Sequence, residues 1–213
     1  MTGRDGDWRR RRLAGARLYL CIDGRGAATP GFLDSVLQAG VDILQLRDKE
    51  GGRDDLVRAS AVFRAAALAH GVLFVLNDDP ELAAEVDADG VHVGQEDPHP
   101  DSARKVVGPD RIVGRSTHST DQFDRGLEED TDYLAIGPVS ATPTKEGRPG
   151  IGLDPVRHAA VVADRPWFVT GGMAPDTAPE VLALGANGIV VVRAIVDAPD
   201  PARATSDLAA LLR

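Results

Sequence analysis

Four short polar clusters stand out because each closes, or directly follows, an apolar run of strand length. They are Gln45-Leu46-Arg47-Asp48-Lys49, Asn77-Asp78-Asp79, the stretch from His92 through Gly94-Gln95-Glu96-Asp97, and Gly114-Arg115-Ser116-Thr117-His118. Side chains two apart share a strand face, so Gln45, Arg47 and Lys49 point one way and Leu44 and Leu46 the other. A guanidinium and an ammonium aimed inward are costly unless an anion or a carboxylate meets them. They specify either an anionic ligand or an internal ion pair with Asp78 or Asp48. Asp78 and Asp97, if their strands are neighbours about 4.8 Å apart, can share a hard cation. Mg²⁺ suits such a pair because it takes only one or two protein carboxylates and fills its other positions with water and phosphate oxygens. Asp79, directly before Pro80, reads as a helix cap, and capping before Pro98 is the rival reading for Asp97.

Ser116 shares its face with Gly114 and His118, and its hydroxyl can donate to a phosphate oxygen. No histidine and acid accompany it in a triad pattern, so a nucleophilic hydrolase is set aside, and His118 reads as a surface or capping residue. The longest loop, Pro138 to Ile151, carries Thr142, Thr144 and Lys145 with Gly147 and Gly150. It is either a lid that presents two hydroxyls and an ammonium to an anion or a solvated loop. Thr170-Gly171-Gly172-Met173 and Val191-Val192-Arg193-Ala194-Ile195 close two further runs. Glycines after a seventh strand, with a short helix after an eighth, make a phosphate cradle from N–H groups and a helix dipole.

The elements that must position these groups alternate strictly. Strands are expected at Arg17–Ile22, Asp42–Leu46, Val72–Asn77, Gly90–Val93, Arg111–Gly114, Tyr133–Gly137, Trp167–Thr170 and Gly188–Val192, with helices starting near Pro30, Arg53, Pro80, Asp101, Thr120, Asp154, Asp176 and Pro201. Alternation of this kind forces parallel strands with crossover helices. In 213 residues eight units fit a single (β/α)8 TIM barrel better than an open sheet, and such barrels carry their chemistry at the strand C-termini.

Composition narrows the function. The net charge is −9, and residues 1–17 hold six arginines against Asp5 and Asp7, so the body is more acidic than the whole. That excludes a nucleic-acid binder, and positive charge for an anionic substrate has to be placed locally. Residues 1–16 read as a solvated, poorly ordered basic tail, with the catalytic barrel at 17–213. No run approaches the ~20 apolar residues of a membrane span, so a soluble cytoplasmic protein is expected. The single cysteine, Cys21, excludes an internal disulfide and reads as a small buried residue of the first strand.

Read together, Gln45-Leu-Arg-Asp-Lys49, Leu76-Asn-Asp-Asp79, Asp89-Gly-Val-His-Val-Gly-Gln-Glu-Asp97, Gly114-x-Ser-x-His118, Gly137-Pro with Thr142-x-Thr-Lys145, and Gly171-Gly172 resemble the thiamine phosphate synthase family, from residue 17 almost to the C-terminus. The resemblance implies joining of 4-amino-5-hydroxymethyl-2-methylpyrimidine pyrophosphate to 4-methyl-5-hydroxyethylthiazole phosphate, with Mg²⁺ as cofactor. In such chemistry the pyrophosphate departs first and the thiazole nitrogen captures a pyrimidine-stabilised methylene cation, so no side-chain nucleophile is needed. The resemblance assigns Arg47, Lys49, Asn77, Ser116 and Lys145 to the pyrophosphate, Asp78 and Asp97 to Mg²⁺, and Gln45 and His92 to the pyrimidine. Thr142 and Thr144 would approach the thiazole phosphate, with N–H groups of Gly172, Val192 and Arg193. Of these, Arg47, Lys49, Ser116 and Lys145 are the expected catalytic set. Arg193 stands where the family frequently has serine, and Ser140-Ala141 replaces a bulkier pair. The resemblance leaves a homo-oligomer open. Rival readings are a thiazole tautomerase, which needs no diphosphate ligands, and a catalytically silent barrel that binds a phosphorylated metabolite and acts through a partner. A sugar-phosphate isomerase would need an acid/base pair at the mouth.

Overall fold

The structure, a computed structural model, describes residues 4–25, 29–141 and 149–213. Eight parallel strands close into a barrel in chain order: β1 Leu18–Ile22, β2 Ile43–Leu46, β3 Leu73–Asn77, β4 Gly90–Val93, β5 Ile112–Thr117, β6 Tyr133–Ile136, β7 Trp167–Val169 and β8 Ile189–Val191, the last pairing back onto the first. Seven lie inside the expected runs, and β5 extends past Gly114 to Thr117, so Ser116 sits on a strand rather than in a loop.

The crossover helices are α2 Pro30–Gln38, α3 Arg53–His70, α4 Pro80–Glu85, α5 Pro100–Val107, α6 Thr120–Glu128, α7 Asp154–Val162, α8 Ala178–Ala183 and α10 Pro201–Leu211, with the short α9 Arg193–Val196 directly after β8. Their starts follow local chemistry. Thr29 accepts a hydrogen bond from the Phe32 N–H, Asp79 from Leu82, Ser119 from Gln122 and Asp200 from Arg203, each satisfying a donor that the first turn leaves orphaned. Asp79 is therefore the cap expected of it.

Strand parity divides the core in two. Leu18, Leu20, Leu44, Leu46, Phe74, Val91, Val113, Leu134 and Val169 face outward and pack under the helices. Tyr19, Ile43, Leu73, Val75, Ile112, Tyr133 and Phe168 face inward and fill the lower barrel, where both tyrosine rings meet Phe168 edge-on at 5.5 and 5.6 Å. The result is a single (β/α)8 barrel. Among the described residues no helix is long and apolar enough to cross a membrane.

The arginine-rich start departs from expectation. Instead of a poorly ordered tail it forms helix α1, Gly6–Gly15, capped by Asp5, and it belongs to the barrel: Leu13 and Trp8 close the floor of the inner core. Arg4 and Arg9 converge on the buried carboxylate of Asp89, at 2.5 and 3.0 Å, and Arg4 also donates to the Val72 and Ala67 carbonyls. The physical reason is a floor of strand N-termini with an acid inside it, so that arginines which look solvated by charge counting become ligands of that acid. Asp89→Ala strands two buried guanidinium groups. Removing one partner of a buried ion pair costs about 3–5 kcal/mol, and a loss of that size is expected in denaturant titration; a change under about 1 kcal/mol, the median for surface pairs, would place the cluster with surface pairs.

Candidate active site

At the C-terminal ends of the strands lies a cavity of about 340 Å³, within the ~300–1,000 Å³ of small-molecule sites. Gln45, Arg47, Asn77, His92 and Ser116 line it on the side of β2 to β5, and Gly171, Gly172, Val192 and Arg193 line the opposite side. The barrel brings these together because Gln45 and Arg47 share the inward parity of β2 and because Asn77 pairs with His92 and His92 with Gly114 across β3, β4 and β5. Gly171 adopts a left-handed φ of 99°, and a Cβ there would fall 2.5 Å from Pro138 Cα, so only glycine permits this turn. The exposed Arg193 side chain is part of the cavity wall. Thr142, Thr144 and Lys145 lie outside the described residues.

The alternative internal ion pairs separate cleanly. Lys49 pairs with Asp78, whereas Asp48 is taken by Arg25 at 3.0 Å and by the N–H groups of Glu50 and Gly51. Half-buried Arg47 forms neither pair among the described residues. It lines the cavity.

Asp78 and Asp97 lie near enough for each to shift the other's carboxyl. Asp78 holds a left-handed φ of 66° and its N–H donates to His92 O at 2.7 Å, which ties the end of β3 to β4. Asp97 accepts the Gly94 N–H at 2.7 Å, an intraloop bond, so it does not cap α5. Burial, and then the neighbouring Asp97, push the Asp78 carboxyl above its ordinary range against the opposing pull of Lys49. Burial acts on Asp97 in the same sense, but its contacts with Asp78 and the Gly94 N–H outweigh it and hold that carboxyl below the usual range. Two acids of opposite shift thus stand at the end of β3 and in the loop after β4, with Lys49 paired to the first of them.

The cavity floor is a chain of buried polar side chains. Cys21 Sγ donates to Gln45 Oε1 at 2.9 Å, Gln45 Nε2 donates to the Tyr19 hydroxyl at 2.6 Å, and Tyr19 meets the Tyr133 hydroxyl at 2.8 Å. Tyr133 contacts His92 Nδ1 at 2.9 Å and stacks on its ring, while His92 Nε2 contacts Ser116 Oγ at 2.8 Å. A histidine thus stands against the serine, but its other nitrogen faces a phenol where a nucleophilic triad has a carboxylate.

Sequence reasoning singled out neither tyrosine. The available signals were parity, which puts Tyr19 on the face of Cys21, and Gly114, whose missing side chain leaves room for the Tyr133 ring: a Cβ there would fall 2.1 Å from Cζ. Gly114→Ala should displace that ring and cost about 1–3 kcal/mol as an overpacking change, readable as a lowered unfolding midpoint together with lost activity; wild-type values for both would mean that the ring is not confined there. Arg115 was also missed. It donates to Gly94 O at 2.5 Å, and Gln95 donates to Ser116 O at 2.6 Å, which ties the Asp97 loop to β5.

Comparison with known proteins gives this geometry its relatives. The family model described as thiamine monophosphate synthase matches residues 18–195. The thiamine-phosphate synthase of Acidothermus cellulolyticus is 48% identical over 94% of this chain and 96% of its own, and that of Thermobifida fusca is 47% identical over 93% of each. The thiamine phosphate pyrophosphorylase structure from Pyrococcus furiosus superposes with a TM-score of 0.85 at 28% identity, covering 94% of this chain and 96% of that one. With a family match across most of the barrel and relatives near half identity over nearly the full length, the chain belongs to the thiamine monophosphate synthase family.

Proposed function

We propose that the chain is a transferase that forms thiamine phosphate, coupling 4-amino-5-hydroxymethyl-2-methylpyrimidine pyrophosphate to 4-methyl-5-hydroxyethylthiazole phosphate with release of pyrophosphate. One observation carries the reading: Arg47 just after β2, Asn77 on β3 and Ser116 on β5 line a single cavity with Gln45 and His92, opposite the Gly171-Gly172 turn. Arg47, Asn77 and Ser116, joined by Lys49 and Lys145, hold the diphosphate. Gln45 and His92 border the pyrimidine. The turn at Gly172 and the N–H groups of Val192 and Arg193 receive the second phosphate, with Thr142 and Thr144 of the preceding loop.

The methylene–oxygen bond breaks with its electron pair going to the diphosphate, and the thiazole nitrogen then bonds to the methylene carbon. The side chains act by neutralising the charge that grows on the leaving group and by holding two reactants in line. Mg²⁺ fits Asp78 and Asp97. A two-carboxylate site completed by water and phosphate oxygens is the kind that Mg²⁺ takes. When bound, the ion supplies charge to the departing diphosphate.

The acid pair and the cation-lined wall also weigh against a tautomerase, which has no diphosphate to hold. Incubation of the pure protein with both heterocycles and Mg²⁺ should yield thiamine phosphate by mass, with nothing formed when either heterocycle is omitted. Binding of both without product would favour the silent barrel.

A further inference from the structure

The floor chain has a direction that hydrogen counting determines. A primary amide donates only through nitrogen and accepts only through oxygen. Gln45 Oε1 faces the thiol of Cys21 and Nε2 faces Tyr19, so the Tyr19 oxygen is an acceptor. Tyr19 has one hydrogen to give, and along the chain it goes to Tyr133, 2.8 Å away. By the same count Tyr133 would give its own to His92 Nδ1, 2.9 Å away. Because Nδ1 accepts, a neutral ring carries its hydrogen on Nε2 and donates it to Ser116 Oγ. The Ser116 hydrogen is then directed out of the chain, toward the cavity that Ser116 lines. Burial pushes both phenols well above their ordinary range, so each keeps the single hydrogen that this count requires.

We infer that the chain is polarised outward from Gln45, and that Tyr19 and Tyr133 are positioning residues that make Ser116 a hydrogen-bond donor to the bound anion and deny it a base. The Ser116–His92 contact has the atoms of a nucleophile–base pair but runs in the opposite sense, because Nε2 already holds a hydrogen and cannot take one from the serine. The inference deepens the proposed function and rests on it for the identity of the anion, a diphosphate; the direction of the chain does not depend on that identity.

The test is ¹⁵N NMR of the histidine-labelled full chain without ligand, with His92 assigned by its loss in His92→Gln. His92 is expected as the Nε2–H tautomer with Nδ1 unprotonated. Gln45→Met removes the amide that sets the direction while roughly keeping volume, and the Nδ1–H form should appear. Nδ1–H in the wild type, or an unchanged ring in Gln45→Met, overturns the polarity. In turnover, Tyr133→Phe keeps the ring and should lower kcat about tenfold, the scale of one hydrogen bond, with KM for the thiazole phosphate unchanged. In a Ser116→Ala background the same change should add no further loss, since Tyr133 acts through Ser116. An unaltered kcat, or a second tenfold fall in that background, overturns the positioning role. A protein that forms no thiamine phosphate but shows the Nε2–H ring would contradict the proposed function and leave the polarity standing.

Discussion

Replacing Arg47 by alanine should lower turnover about 10²–10³-fold, the cost typical of removing one preorganised group that stabilises transition-state charge. The size follows from its position. Arg47 is half-buried, lines the cavity, and is paired with neither Asp48 nor Asp78. Among the described residues no carboxylate pairs with it, whereas the charge of Lys49 is shared with Asp78. Because charge grows on the leaving group as the bond breaks, the loss should fall on kcat as well as on binding. Arg47→Lys should recover part of the rate, since an ammonium restores the charge but not the planar fork. Steady-state kinetics with both substrates at saturation decide the matter, and near-normal kcat in Arg47→Ala would remove this side chain from the mechanism. Lys145→Ala is expected to behave alike if that residue holds the same diphosphate.

Chelating Mg²⁺ should have an effect at least as large. A bound divalent ion is worth several kcal/mol of charge stabilisation, and each ~1.4 kcal/mol is tenfold in rate, so activity should fall by about 10³-fold and return when Mg²⁺ is restored. Asp97→Asn should raise the Mg²⁺ concentration needed for half-maximal rate while leaving the barrel folded, because Asp97 sits in a loop and bonds the Gly94 N–H. Titrations of rate against Mg²⁺ for the wild type and this variant separate the metal's role from a structural one. Full activity in chelator would leave the acid pair without that purpose.

The barrel was legible because strand parity and turn residues speak locally. Asp79 before Pro80 announces a helix start, and Leu44 and Leu46 alternating with Gln45 announce which face is interior. The polar strand ends were legible for the same reason: a cation on an inward face demands an explanation that a neighbour such as Leu44 does not. What escaped was whatever depends on a distant partner. Arg4 and Arg9 look solvated until Asp89 is placed beneath them. Tyr19 and Tyr133 look like ordinary core residues because their hydroxyl partners, Gln45 and His92, come from other strands. Cys21 looks in sequence like a small buried apolar residue; it is buried, but it also lines the cavity and donates to Gln45. β5 runs past its expected end because Arg115 and Ser116 look like loop residues in sequence, although Arg115 points outward to Gly94 and Glu129 and Ser116 points inward to His92.

The most direct test of the central claim is a crystal structure of the protein with Mg²⁺ and pyrophosphate, the product that leaves. The diphosphate should lie within hydrogen-bonding distance of Arg47, Asn77 and Ser116, with the metal between it and the carboxylates of Asp78 and Asp97. A diphosphate held elsewhere on the barrel, with Arg47 and Ser116 making no contact to it, would contradict the account.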